Sequence, residues 1–267
     1  MLRQRVITAL SIGLPLLAVL FWLPKMVTVL IFAVAVLQGA REWTGFLQLQ
    51  TRWSQLAYVA LIAVAMWASW HYIATPSTLN GLLLCTLTWW LVALLWIVCC
   101  PQRQSRLLTG LAGLWVLVPA WLSLSLLYRQ EAGAQWVLLL LLLVVGTDIG
   151  GFLAGRRWGH TKLAPHVSPG KTWEGVAGGV TLSTAIAVIG AIGFGVQIWP
   201  FLLLCWLTVA ISVVGDLTES LFKRQAGLKD SGTLLPGHGG ILDRIDSTTA
   251  AAPLFLYGLI LLDVLSA

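Results

Sequence analysis

Carboxylates, lysines and glycines crowd one short tract of an otherwise apolar chain. Gly215-Asp-Leu-Thr-Glu-Ser-Leu-Phe-Lys-Arg224 closes one apolar run. A helix continuing through it sets Asp216, Glu219, Ser220 and Lys223 at i, i+3, i+4 and i+7, a single polar stripe. Carboxylates this near hydrocarbon are unfavourable unless they are paired, bound to metal or turned to a wet cavity. Lys223 and Arg224 read equally well as a helix end meeting water. Pro236-Gly-His-Gly-Gly240 follows; its glycines permit positive φ and let backbone N–H groups approach an anion closely. Asp243, Asp246 and Ser247 then open the next apolar run at i, i+3 and i+4. Helix capping accounts for one aspartate there, but less easily for two with Arg244 between them.

An earlier loop repeats the theme. Thr147-Asp148 ends one apolar run, Gly155-Arg-Arg-Trp-Gly-His-Thr-Lys162 follows, and Ser168-Pro-Gly-Lys-Thr-Trp-Glu-Gly175 leads into another. The Gly-Lys-Thr triplet is no nucleotide-binding P-loop, because Pro165 stands where GxxxxGK[ST] requires its first glycine. It reads as a basic loop entering a helix whose N-terminus can hold phosphate. One face thus gathers carboxylates suited to Mg²⁺ and cations suited to polyphosphate, and phosphoryl chemistry mainly needs positioning and charge neutralisation. The residues point to a membrane-embedded enzyme acting on a nucleotide or a lipid phosphate.

The elements that must position these groups are membrane spans. Hydrophobic residues make up 58% of the 267 and charged residues 10%, against about a quarter charged in soluble domains, so the chain cannot cover itself with polar surface in water. Hydropathy predicts an all-α, polytopic helical bundle of about nine spans, near 6–24, 26–40, 55–74, 81–100, 107–128, 134–150, 175–197, 199–219 and 249–266. With nine spans, every Lys and Arg except Lys25 and Arg129 falls on the side of the N-terminus, which the positive-inside rule makes cytoplasmic. Met1-Leu-Arg-Gln-Arg5 with its apolar sequel reads as an uncleaved anchor rather than a signal peptide. The basic residues sit in short loops between spans, so the net charge of +6 orients the protein and does not mark nucleic-acid binding. Cys85, Cys99, Cys100 and Cys205 show neither metal-ligand nor disulfide spacing. Tryptophans near span ends, Trp22, Trp43, Trp53, Trp70 and Trp199 among them, read as interfacial anchors and packing residues. The chain reads as one polytopic domain, residues 1–267. Residues 1–130, with Glu42 as their one acidic residue, form a scaffold, and 131–267 form a catalytic half with loops at 151–174 and 220–248.

The tract Ser220-x-x-Lys223-Arg224-x4-Lys229-Asp230-x5-Pro236-x-His238-Gly-Gly240-x-x-Asp243-Arg244-x-Asp246 resembles the signature of phosphatidate cytidylyltransferases, with every fixed position met. Lys162-Leu-Ala-Pro165 and Ser168 to Gly175 resemble the family's upstream block, with Phe152 where tyrosine is common and His160 where lysine is common. The resemblance is specific over about 148–247 and elsewhere rests on length and hydropathy.

That resemblance implies the reaction of CTP with phosphatidic acid to give CDP-diacylglycerol and pyrophosphate, with Mg²⁺, and it admits a second cation. Expected in the catalytic machinery are Asp216, Lys223, Arg224, Lys229, Asp230, His238, Asp243, Arg244 and Asp246. Asp216, Asp243 and Asp246 are the expected metal ligands. Asp148, Arg156, Lys162, Ser168, Lys171, Ser220, Gly237, Gly239 and Gly240 are expected to bind substrate. The expected partners are CTP and membrane phosphatidate, with no nucleic acid; a homodimer is compatible with the sequence. The expected setting is a bacterial inner membrane with the N-terminus and site cytoplasmic. A related transferase using CTP with a polyprenyl or ether-lipid acceptor stays open. A CDP-alcohol phosphatidyltransferase is disfavoured, since its D-G-x-x-A-R run is absent. A transporter would place ionisable residues mid-span in several helices, and residues 1–130 offer almost none.

Overall fold

The computed structural model describes residues 13–73, 75–101, 105–234 and 239–265. Gly237 and His238, together with Arg3, Arg5 and Arg103, lie outside them. Among the described residues, nine helices run α1 (Gly13–Trp22), α2 (Lys25–Phe46), α3 (Arg52–Tyr72), α4 (Pro76–Cys99), α5 (Arg106–Arg129), α6 (Gly133–Trp158), α7 (Trp173–Phe194), α8 (Ile198–Gln225) and α9 (Leu242–Leu261). The seven from α2 to α8 are each long and apolar enough to cross a bilayer. The chain is an all-α polytopic membrane protein.

Local signals start and stop these helices. Thr51 and Thr172 accept hydrogen bonds from Ser54 N and Gly175 N, Thr75 and Thr78 form a reciprocal capping box ahead of Pro76, and Gly195, at φ 65°, closes α7. Several helices outrun their apolar stretches. At 1.5 Å per residue, α6 with 26 residues and α8 with 28 span about 39 and 42 Å, beyond a hydrocarbon core of about 30 Å. Their C-terminal turns therefore stand clear of the lipid, carrying Arg156 and Arg157 in one case and Lys223 and Arg224 in the other. α2 likewise runs on through Glu42 to Phe46 instead of ending near 40.

Between α6 and α7 the chain makes a small antiparallel hairpin, β1 (Lys162–Ala164) with β2 (Ser168–Thr172), pairing Lys162 with Thr172 and Ala164 with Ser168. Glu174, in the first turn of α7, accepts from Thr161 N at 3.0 and 3.2 Å and fastens the hairpin to the helix.

α9 is the least lipid-like of the long helices and occupies the centre, packed against α2, α4, α5, α6 and α8. Ala250, Ala251, Ala252, Phe255 and Leu259 are fully buried, so protein rather than lipid surrounds its apolar stretch. The outer faces of α3 and α4 expose Leu61, Val64, Leu91 and Leu95, as lipid contact requires. All four cysteines are free, and Cys205 alone of them is buried. Trp22, Trp53 and Trp199 are largely exposed at helix ends. Trp43 is one of the packing residues: its indole is buried and donates to the Thr109 carbonyl at 2.9 Å.

Side-chain contacts sort the loops by end. Lys25 donates to the carbonyls of Arg129 and Gln130, both at 3.0 Å, bringing together the two basic residues expected opposite the rest. At the other end, Gln225 donates to the Pro101 carbonyl at 3.0 Å, Lys171 meets Asp216, and Glu42 meets Ser231.

Candidate active site

The polar stripe on α8 exists because the helix continues unbroken to Gln225. Asp216 opens it. Its Oδ1 accepts from Ser220 Oγ at 3.2 Å, and its Oδ2 lies 2.5 Å from Lys171 Nζ, which strand β2 delivers. One helical turn on, Glu219 is buried, and Lys223 Nζ stands 3.3 Å from its Oε1 and 2.6 Å from Asp243 Oδ1.

Asp243 lies in the first turn of α9, ahead of that helix's apolar stretch. Beyond Lys223 on Oδ1, its Oδ2 accepts from Ser231 N at 2.9 Å, Ser231 Oγ at 2.9 Å and Gly240 N at 2.8 Å. Burial pushes this carboxyl upward, but the Lys223 ammonium and the two backbone N–H groups outweigh it and hold the group at about 2. Asp243 is therefore ionised, and it fastens Ser231 and Gly240 to the start of α9. Gly239, at φ 77°, and Gly240 belong to this fastening, since a side chain at either would run into the carboxylates it encloses.

Two further carboxylates complete the cluster. Asp148, on α6, lies within electrostatic reach of Asp216, Lys171 and Arg244. Asp246, one turn past Asp243, faces both Asp216 and Glu219. Glu219 and Asp246 stand within hydrogen-bonding range of each other. Both Glu219 oxygens are buried without a hydrogen bond, and the charge that faces them is the Lys223 ammonium, 3.3 Å from Oε1.

A cavity of about 230 Å³ opens beside Lys171, with Asp148, Lys171 and Thr172 at its polar side and Phe152, Val176 and Val213 at its apolar side. It depends on close approach of α6 and α7. Gly150 abuts the backbone of Gly178 and Gly179, and Gly175 abuts Gly151 and Gly155, where a Cβ at Gly150 would overlap the Gly178 carbonyl. Small residues on two helices thus set the separation of Asp148 and Lys171.

Among the expected residues, the structure brings together Asp148, Lys171, Asp216, Ser220, Lys223, Asp243 and Asp246, with Arg244 adjacent. Gly239 and Gly240 wrap Asp243, and Ser168 sits in β2, half-buried. Arg156, Lys162, Arg224, Lys229 and Asp230 are exposed around the same end. Gly237 and His238 fall outside the described residues.

Two functional residues were not among those expected. Glu219 belongs to the predicted stripe, and its depth in the bundle sets it apart. Glu42, on α2, reaches Ser231 and the start of α9, where it accepts from Ser231 Oγ at 3.0 Å, Ile241 N at 3.0 Å and Leu242 N at 2.8 Å. Its one sequence signal was being the sole acidic residue in 1–130.

The residues fit a divalent cation. Five carboxylates, Asp148, Asp216, Glu219, Asp243 and Asp246, face three cations, Lys171, Lys223 and Arg244. The Glu219 oxygens are buried without a hydrogen bond beside this surplus of carboxylate. Among the described residues no three carboxylates converge into a complete ligand set.

Fold and site together define a polytopic membrane protein whose acidic and basic groups meet at one end of the bundle. The model of the Cytidylyltransferase family matches residues 3–262, and the chain belongs to that family. Its curated relatives include the phosphatidate cytidylyltransferase of Pseudomonas aeruginosa, 42% identical over 96% of each chain. That of Haemophilus influenzae is 37% identical over 96% of this chain and 98% of its own. That of Mycobacterium tuberculosis is 31% identical over 94% of this chain and 80% of its own.

Proposed function

We propose that this chain is a phosphatidate cytidylyltransferase, joining CTP and phosphatidic acid to give CDP-diacylglycerol and pyrophosphate. The observation that carries the reading is the surplus of carboxylate where Asp216 and Asp246 meet the buried Glu219, flanked by Lys171 and Lys223. Its relatives' shared name agrees with it. In the reaction an oxygen of the lipid phosphate forms a bond to the α-phosphorus of CTP, and the bond from that phosphorus to the bridging oxygen breaks as pyrophosphate departs. A phosphomonoester has its second pKa near about 6, so the nucleophile is already ionised at neutral pH and no protein base is needed.

What the chain must supply is cancellation of charge between two anions. Lys171, at the cavity mouth and partly exposed, can exchange its pairing with Asp216 for a phosphate oxygen. Lys223, between Glu219 and Asp243, offers a second cation, and Arg224, Lys229 and Arg244 line the approach. The apolar wall of the cavity, Phe152, Val176 and Val213, suits the glycerol end of a lipid whose phosphate reaches Lys171. Asp216 and Asp246, with Glu219 beside them, would hold Mg²⁺, which would neutralise the CTP phosphates. Asp243 serves in this scheme by fixing Lys223 and the glycine loop. The positive loops gathered at the site's end support a cytoplasmic site in a bacterial inner membrane.

The test is transfer of label from α-labelled CTP into extractable lipid by the purified protein. Transfer that requires both phosphatidate and Mg²⁺ is expected. No labelled lipid under those conditions overturns the proposal.

A further inference from the structure

We infer that Glu42 is a positioning residue of the active site, holding Ser231 and the start of α9 in register from the opposite half of the chain; the inference rests on the transferase reading above. Glu42 lies one turn before the end of α2 and is buried, at 7% exposure. A carboxylate is disfavoured near a helix C-terminus and in a bundle interior alike. Strong compensation is therefore needed, and four donors provide it. Oε1 accepts from Gln38 Nε2 at 3.2 Å and Ile241 N at 3.0 Å; Oε2 accepts from Ser231 Oγ at 3.0 Å and Leu242 N at 2.8 Å.

The identity of those donors assigns the role. A helix leaves its first N–H groups unsatisfied, and a local Ser, Thr, Asp or Asn usually caps them. α9 has Ile241 at that position and no side-chain cap of its own. Glu42 takes the place of the missing cap from about 200 residues away in sequence. Asp243 follows Leu242 directly and Asp246 lies one turn on, so fixing the N–H groups of 241 and 242 fixes the rotation of both aspartates. Successive residues differ by about 100° around a helix, so a small slip would turn Asp246 away from Asp216.

Ser231 couples the two anchors, with its Oγ 3.0 Å from Glu42 Oε2 and 2.9 Å from Asp243 Oδ2. Gly240 is held between them, because a Cβ there would overlap Glu42 Oε2 and Ser231 Oγ. Glu42 touches the loop and not the cavity beside Lys171, which makes it a positioning group rather than a catalytic one.

The experiment compares the purified full-length protein with its Glu42→Gln variant in two measurements. Glutamine keeps the shape but presents an amide N–H₂ to donors on one side, so a packing role predicts no change. The positioning role predicts a fall in kcat of about 10- to 100-fold, with KM for phosphatidate held. It also predicts faster hydrogen–deuterium exchange confined to residues 239–243. A kcat within about two-fold of the unmodified protein and unchanged exchange there would overturn the inference. So would a loss of kcat accompanied by faster exchange across all helices, which would mark a general folding role. Should Glu42→Gln fail to accumulate, Ser231→Ala removes one of the four donors; it must loosen the same segment and lower kcat, and no effect on either counts against the inference. If the unmodified protein transfers no CTP to phosphatidate, the transferase reading fails, and the exchange measurement still judges Glu42 by itself.

Discussion

Replacing Lys223 with methionine removes one ammonium and keeps most of the side-chain volume. The two carboxylates it serves differ sharply in what remains to them. Asp243 retains three donors, from Ser231 N, Ser231 Oγ and Gly240 N. Glu219, with its side chain 3% exposed, retains none. The cost therefore falls on Glu219, and breaking a buried pair in this way typically destabilises by about 3–5 kcal/mol. Adding Glu219→Gln removes the stranded charge, so the double variant should recover about 1–3 kcal/mol relative to the sum of the single changes. Reversible unfolding of the purified protein in mixed micelles measures all four corners of this cycle. Turnover should not recover with stability, because Lys223 is itself assigned to phosphate. A loss below about 1 kcal/mol for Lys223→Met, or strictly additive effects, would refute the reasoning that this lysine neutralises buried charge.

Gly150→Ala should force α6 from α7, since its Cβ meets the Gly178 carbonyl rather than a movable side chain. A loss of about 1–3 kcal/mol is expected, read in the same unfolding assay, together with reduced turnover as Asp148 and Lys171 separate. Gly240→Ala should lower turnover more than stability, because the overlap is with Glu42 and Ser231 in the loop and not with the helical core; kinetic assay beside thermal unfolding distinguishes the two.

Hydropathy and charge placement made the membrane bundle legible, because spans are long and each reports its own environment. The stripe of Asp216, Glu219, Ser220 and Lys223 was equally legible, since helical periodicity alone puts those residues on one face. Local signals do not carry what depends on contact across the fold. Glu42 meets Ser231 across 189 positions, and its sequence neighbourhood reads as the end of an ordinary span. The same holds for Asp243, whose type suggested a metal ligand, whereas its surroundings engage both oxygens with four donors. Helix ends were placed too early in α2 and α6 and too late in α9 because charged side chains lower hydropathy without breaking a helix. Residues 162–172 form a hairpin that no apolar alternation announced.

Asp216 stands where the three contributions to the site meet, paired with Lys171 from the hairpin, bonded to Ser220 on its own helix and facing Asp246 of α9. The most direct measurement of the account is CTP-dependent labelling of phosphatidate by purified Asp216→Asn beside the unmodified protein, at Mg²⁺ concentrations that saturate the latter. The substitution keeps size and hydrogen-bonding shape but removes the charge, so the account predicts an intact fold by thermal unfolding and no detectable transfer. Turnover near that of the unmodified protein would contradict it.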